Sequence, residues 1–489
     1  MLNQPSNLGG EFNLSALVQL AQGLRNVPCT CDPSQKPLTG GFNWAIVLSF
    51  DDGVKWIFRS PCTSFGLDEM TANAVLSSEV ATLKYINQNS SIPVPDVSSK
   101  NNAVGVPYIL MSKASGYPLS ICNWLPQLKG GPARLIKAEE KQKVMRQLGQ
   151  LMAQLSRLRF NKIGSLFEEE EGCFNVKSCL SPGLLFHDRY DLQGIVRGPF
   201  NEENDYYRAL LSAYFAHIQH LTLGHHAFFA PVPVPKEYDS YASYLEATDR
   251  WNDFVTLTSR IENSGNRLDY FIAGRFLESM IPNFTDSRKE FALYHPDLST
   301  SNIFVDDQYN ITCIIDWAFS STVPVALLLA TPGLPHPRDE WEAPLTSAFR
   351  SGFSDHFDNS FRVCSLAWER SRMVWLFMRL VNLDSLQDYH LLAELYALVY
   401  GRQPAYFVVD FKKEYTKTAV MNMRKILSAD DETAADIERH ENAYFASVGV
   451  ERCAIPRKLN LVSALSKGFV ADRRLWHWIE RAVPGSSIE

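Results

Sequence analysis

The stretch from Leu293 to Trp317 constrains this chain most. Asp297 is followed five positions later by Asn302, then by two short β-prone runs, and the second of these leads into Asp316. Ile303, Phe304 and Val305 predict one strand, Asp306-Asp307-Gln308-Tyr309-Asn310 a turn, and Ile311 to Ile315 a returning strand. Such a hairpin brings an amide and a carboxylate together at adjacent strand ends, with a second carboxylate just upstream. Oxygen donors of this kind suit magnesium, and the spacing suits phosphoryl transfer. Asp297 would orient a hydroxyl nucleophile and take its proton late, while Asn302 and Asp316 would hold the Mg2+ that bridges the phosphates of ATP. Asp297 needs no unusual pKa for that task, and His295 is expected to brace the loop by hydrogen bonding. Taken singly, Asp297 and Asn302 are also turn formers, and Asp316 is also a strand-end cap. Both elements in order and correctly spaced are what favour the chemical reading.

His295-x-Asp297-x-x-x-x-Asn302 followed by Ile315-Asp316-Trp317 resembles the aminoglycoside phosphotransferase and choline kinase family, a branch of the protein-kinase-like fold. Asn302-Ile303-Phe304-Val305-Asp306, with the Pro-rich continuation after Trp317, is similar to fungal members of that family. The resemblance spans roughly residues 38–334. It implies an α+β, bilobal protein-kinase-like fold: a small N-terminal antiparallel sheet lobe, a larger, mainly helical C-terminal lobe, and ATP with magnesium between them. The expected organisation is a helical extension over 1–37, a nucleotide-binding lobe over 38–112, a catalytic lobe with a helical insertion over 113–340, and completing helices over 341–489.

The upstream residues supply most of a nucleotide-binding lobe. Gly40 and Gly41 open a hairpin, Trp44 to Phe50 reads as a strand, Asp51-Asp52-Gly53 as a turn, and Val54 to Arg59 as the partner strand. Paired glycines let backbone N–H groups approach phosphate, although they also simply turn a chain. A kinase-like fold next needs a cation on the returning strand and a carboxylate on the following helix. Arg59 and Glu79 occupy those places, Glu79 bordering the stripe Leu76, Val80 and Leu83. The family pattern has lysine at the cation, and arginine's planar fork should alter phosphate geometry. Read without the resemblance, Arg59 and Glu79 are solvated surface charges. Val106 to Met111, followed by Ser112-Lys113, resembles the edge strand and interlobe linker, so Met111 and Lys113 are the adenine-side candidates. An ordinary core strand reads the same way.

Further on, Val144, Leu148, Leu151, Leu155 and Leu158 fall on one helical stripe, Glu168 to Glu171 reads as a solvated loop, and helical patterns cover Tyr206 to His220 and Trp251 to Met280. Helices here and near the C-terminal end are expected to wall the acceptor site, by the resemblance. His217-x-x-His220, with His225 and His226, lacks a Cys or acidic partner at ligand spacing, so no metal site is expected there. After Trp317 there is no long phosphorylatable loop with an Ala-Pro-Glu closure, which points to a small-molecule acceptor over a protein. Trp368 to Leu383, Tyr389 to Tyr400 and Tyr444 to Leu465 continue as helices.

The 489 residues allow two lobes, and 46% hydrophobic with 21% charged residues is ordinary globular usage. The net charge, 47 minus 54, is −7 without a basic tract, so neither nucleic acid nor an anionic membrane is an expected partner. No targeting pattern or membrane-length apolar run is evident, making the cytosol the default. Nine scattered cysteines are expected to be reduced thiols. The leading expectation is an ATP- and magnesium-dependent phosphotransferase acting on a small-molecule hydroxyl. The alternative is a degenerate kinase-like binding or scaffold protein, suggested by Arg59 and the poor glycine loop. Oligomeric state cannot be read from the chain.

Overall fold

The computed structural model describes residues 12–40, 42–62, 67–98, 104–124, 134–224, 226–229, 264–287, 289–336, 339–340, 342–356, 365–385, 387–403 and 405–431, with a few further residues within 238–247 and 433–439. The expected helix over 444–465, the first part of the pattern over 251–280, His225 and Gly41 lie outside the described residues.

The N-terminal lobe is an antiparallel sheet. Its strands are β1 (Cys29–Thr30), β2 (Leu38–Thr39), β3 (Asn43–Phe50), β4 (Lys55–Pro61), β5 (Val97–Ser98) and β6 (Ile109–Ser112), in the order β1-β3-β4-β6-β5 with β2 on β3. Along β3 exposure alternates residue by residue, so Trp44, Ile46, Leu48 and Phe50 face one side. Leu17 and Ala21 of helix α1 (Leu14–Arg25) cover that side and close a small core with Phe58. The other side of the sheet takes helix α2 (Glu69–Asn89). Asp68 caps α2, its carboxylate accepting from the Thr71 N–H at 2.8 Å, and Leu76 and Val80 pack on Ile109 and Met111. The helix stops short of Pro93, as its sequence predicts.

The C-terminal lobe is mainly helical around one large core. Its central helix is Ala138–Leu155, buried at Val144, Leu148, Leu151 and Leu155. The helix ends at Leu155, so Leu158 falls in the following turn and not on the expected stripe. Ala343–His356 crosses this helix backbone to backbone. A Cβ on Gly352 would stand 1.9 Å from the Arg146 carbonyl oxygen, and one on Gly149 would stand 2.1 Å from that of Phe349. Glu168 to Glu170 are not a solvated loop: Ser165–Glu170 is a strand paired with Cys173–Lys177, and Glu168 forms an ion pair with Lys84 of α2. The alternation of that hairpin was hidden by a run of one residue type. Among the described residues no helix is long and apolar enough to cross a membrane.

Three short strands present the site. Phe291–Tyr294 leads into His295, and Ile303–Val305 pairs with Ile311–Ile314 and with Tyr117–Pro118. Asp306 folds the turn between the paired strands, its Oδ1 accepting from the Gln308 and Asn310 N–H groups at 2.8 and 2.9 Å. The returning strand ends at Ile314, one residue earlier than expected, which leaves Ile315 and Asp316 to turn away.

Candidate active site

The loop from His295 to Asn302 is held by its own side chains. His295 is buried; its Nδ1 accepts from the Asp297 N–H at 3.1 Å and its Nε2 lies 2.9 Å from the Ile315 carbonyl. Those two contacts select the tautomer with the proton on Nε2, donating to Ile315. Burial lowers its pKa to about 4, so the ring is neutral, and it meets Trp317 edge to face with centroids 4.6 Å apart. His295 thus braces both halves of the site and contributes no charge.

Asn302 is buried, and its Nδ2 donates to the Asp297 backbone carbonyl at 2.9 Å and to Asp297 Oδ2 at 3.0 Å. Burial raises the Asp297 carboxyl to about 6, with the Asp316 charge adding to the rise and the Asn302 hydrogen bond opposing it. An unusual pKa was not required of Asp297, and half-burial beside a second carboxylate produces one. The Ile315 N–H donates to the Asn302 carbonyl at 3.0 Å, tying the two strand ends together. Asp316 follows in the left-handed region at φ +64°, a conformation that costs a non-glycine residue energy and turns its side chain out of the strand line.

The N-terminal lobe meets this pair through Arg59. One guanidinium nitrogen forms an ion pair with Glu79 of α2, and another donates to Asp316 Oδ1 at 3.1 Å. Glu79 is 2% exposed, so the reading of Arg59 and Glu79 as solvated surface charges is overturned. Burial pushes the Glu79 carboxyl up to about 7 against the pull of Arg59. The Arg59 guanidinium stays charged: desolvation is outweighed by its two carboxylate partners, which raise its pKa. One arginine therefore links the helix, the sheet and the Asp316 turn. The chain has an α+β, bilobal fold.

No family model matches the chain. It is similar to a subtelomeric hrmA-associated cluster protein of Aspergillus fumigatus, 29% identical over 145 residues, which is 29% of this chain and 26% of that protein. It is also similar to clavilactone A biosynthesis cluster protein Y of Ampulloclitocybe clavipes, 23% identical over 305 residues, 61% of this chain and 63% of the relative. The chain thus spans about a quarter of one curated relative and less than two thirds of the other. Among solved structures, the macrolide 2'-phosphotransferase MphH of Brachybacterium faecium aligns over 86% of this chain and all of its own, at 12% identity and a TM-score of 0.36.

The remaining described candidates lie in the N-terminal lobe and line none of the cavity beside Asp297. Gly40 sits at the hairpin tip between β2 and β3, its N–H donating to the Asn43 carbonyl at 2.8 Å. The Met111 side chain packs beneath α2, and the Lys113 N–H donates to the Lys55 carbonyl at 3.0 Å, so that donor is already engaged within the sheet.

A cavity of about 390 Å³ opens beside Asp297 and Asp316 on the C-lobe side. Tyr206, from the helical pattern over 206–220, lines it, but much of its wall comes from residues that carried no sequence signal. Phe42 from the glycine hairpin reaches across to Phe186 and Phe319, with ring centroids 5.2 Å from each, and so joins the lobes at its mouth. Trp375 and Asp384, at the C-terminal end of helix Ser365–Val381 and just beyond it, form the far side. Of the described imidazoles in this stretch, His217 and His226 are buried, His217 with Nε2 2.8 Å from the Thr222 carbonyl, and His220 is exposed.

Proposed function

We propose that this protein transfers the γ-phosphoryl group of ATP to a hydroxyl of a small molecule. The observation that carries the reading is the convergence of Asp297, Asn302 and Asp316 from one loop and one hairpin with the Arg59–Glu79 pair of the other lobe. The donor set fits a divalent cation: the Asn302 amide nitrogen is committed to Asp297, which leaves its side-chain carbonyl oxygen and the Asp316 carboxylate as hard oxygen donors. Asn302 and Asp316 would hold magnesium, which would supply positive charge against the charge that develops in transfer.

The chain's own residues do the rest. Asp297 lines the cavity, accepts a hydrogen bond from the acceptor hydroxyl and takes its proton as the new P–O bond forms and the bond to the β-phosphate oxygen breaks. Asn302 orients that carboxylate. Arg59, positioned by Glu79, supplies positive charge to the phosphates. One curated relative is named for a biosynthesis cluster, which supports a role in small-molecule metabolism over protein phosphorylation.

The test is magnesium-dependent ADP release by purified protein supplied with pooled hydroxylated metabolites, with Asp297→Ala in parallel. Acceptor-dependent release that the variant lacks supports the reading. A melting shift with Mg·ATP but no release under any acceptor supports the binding-protein alternative.

A further inference from the structure

The hairpin Ser165–Lys177 of the C-terminal lobe takes no part in the chemistry above, yet it packs on α2, the helix that presents Glu79. Phe167 joins Val75 of α2 in one apolar cluster with Ala318 and Phe319. Tyr85 of α2 stacks on Phe160 and Phe174, with ring centroids 5.2 and 5.3 Å away. Glu168 and Phe174 are directly paired across the hairpin, so they share a face, and that face meets Lys84 and Tyr85 together. The Glu168 carboxylate is held from both ends: Oε1 accepts from the Gly172 N–H of its own hairpin at 3.0 Å, and Oε2 takes the Lys84 ammonium. The two side chains are 16% and 26% exposed, which shields the pair more than an open surface ion pair.

The root of the same hairpin is fastened to the segment that follows Asp316. The Gly164 N–H donates to Thr322 Oγ1 at 3.0 Å, the Thr322 N–H donates back to the Gly164 carbonyl at 2.8 Å, and the Ser165 hydroxyl donates to the Ser320 carbonyl at 2.9 Å. A closed circuit results. It runs from the Asp316 segment into the hairpin, through Glu168 to Lys84, along α2 to Glu79, and through Arg59 back to Asp316. Lys84 and Glu79 lie in one uninterrupted helix, Glu69–Asn89, so a force on one is carried to the other.

We propose that Glu168 is a positioning residue for the nucleotide: on the phosphotransfer reading above, its pair with Lys84 clamps α2 to the C-terminal lobe and thereby holds Arg59 where the phosphates arrive. Glu168 acts through Lys84, Glu79 and Arg59 and touches no ligand itself.

The test compares the full native chain with Glu168→Gln, Lys84→Met, the two combined, and Lys84→Arg. Glutamine keeps an oxygen for the Gly172 N–H and removes the charge. Mg·ADP affinity is measured by calorimetry at a temperature where every protein is folded, beside urea unfolding. Glu168→Gln and Lys84→Met should each weaken Mg·ADP binding about three- to fivefold, the upper range for an ion pair that water still reaches. The combined variant should lose no more than either alone, because both break the same link, and Lys84→Arg should bind within about twofold of the native protein. In the ligand-free proteins, hydrogen exchange of α2 amides should quicken about three- to fivefold in Glu168→Gln, while the helix Ala138–Leu155 is unchanged.

Variants that lose stability in urea but bind Mg·ADP as the native protein does would overturn the proposal, leaving the pair a matter of folding alone. Losses that add in the combined variant would overturn it as well. Absence of Mg·ADP binding by the native protein would sink the phosphotransfer reading and the positioning role with it, whether or not α2 exchange responds to Glu168.

Discussion

Replacing Asp297 by asparagine should slow turnover severely and at the same time make the folded protein more stable. The carboxyl is held at about 6, against 3.8 for an aspartate in water, first by burial and then by the Asp316 charge. A group whose folded pKa is raised keeps its proton in the native state over that interval, so ionisation costs stability as pH climbs from 3.8 to about 6. At about 1.4 kcal/mol per pH unit the cost is about 3 kcal/mol, and partial exposure of the side chain reduces the expectation to about 2 kcal/mol. Asparagine has no charge to desolvate and still offers an oxygen to Asn302 Nδ2, which bonds Asp297 Oδ2 at 3.0 Å in the parent. Urea unfolding of the two proteins should therefore differ by about 2 kcal/mol above pH 6, in favour of the variant, and converge near pH 4. In kinetics the variant should lose on the order of 10²–10⁴ in kcat, the usual contribution of a positioned base. A variant that is less stable at neutral pH, or a stability gap that does not close on acidification, would refute the reasoning.

Asn302→Ala removes the hydrogen bond that opposes the rise at Asp297, so the ascending limb of the kcat/KM profile should move above about pH 6, and the magnesium concentration for half-maximal rate should increase. Arg59→Met leaves Glu79 buried without its cation; a loss of about 3–5 kcal/mol in urea unfolding is expected, together with weaker Mg·ATP binding by calorimetry. Gly352→Ala places a Cβ 1.9 Å from the Arg146 carbonyl oxygen and should cost at least about 1–3 kcal/mol, while the Kd for Mg·ATP of the folded fraction stays unchanged.

The catalytic loop was legible because its chemistry is local in sequence. Asp297, Asn302 and Asp316 lie within 20 residues, and the hairpin that unites them is encoded by β-prone runs around an Asp-Asn turn. Arg59 and Glu79 were legible by position on a strand and a helix, but their burial was not, since charges at a helix-stripe border read the same whether solvated or paired. The cavity beside Asp297 was the least legible part. Phe42, Phe186, Phe319 and Trp375 come from four segments separated by up to several hundred residues, and a lone aromatic carries no mark of the cavity it lines. Glu168 failed for the opposite reason: four carboxylates in a row conceal a strand whose pairing is set by Cys173–Lys177 and whose ion pair is set by α2.

The departure at Arg59 bears on whether this site is degenerate. Lysine has one nitrogen with which to serve a carboxylate, whereas the arginine fork reaches Glu79 with one nitrogen and Asp316 with another. Arginine therefore makes a connection that lysine would not: Asp316, proposed above as a metal ligand, is tied through Arg59 to the helix that carries Glu79. Degeneration removes partners, whereas Arg59 keeps an ion pair with each of two carboxylates. Both acidic partners of Arg59 are retained and engaged, Asn302 orients Asp297, and His295 is neutral and doubly bonded between the two halves of the loop. The price of the added link is that Asp316 must loosen its bond to Arg59 to take a metal, a bond about 1.5–3 kcal/mol strong when charge-assisted and weaker at a partly exposed carboxylate. That is the scale at which nucleotide phosphates, competing for the same guanidinium, would release Asp316 as they arrive. In this reading the arginine holds the site assembled before the substrate and gives way to it, which requires the very residues a binding-only descendant could afford to lose.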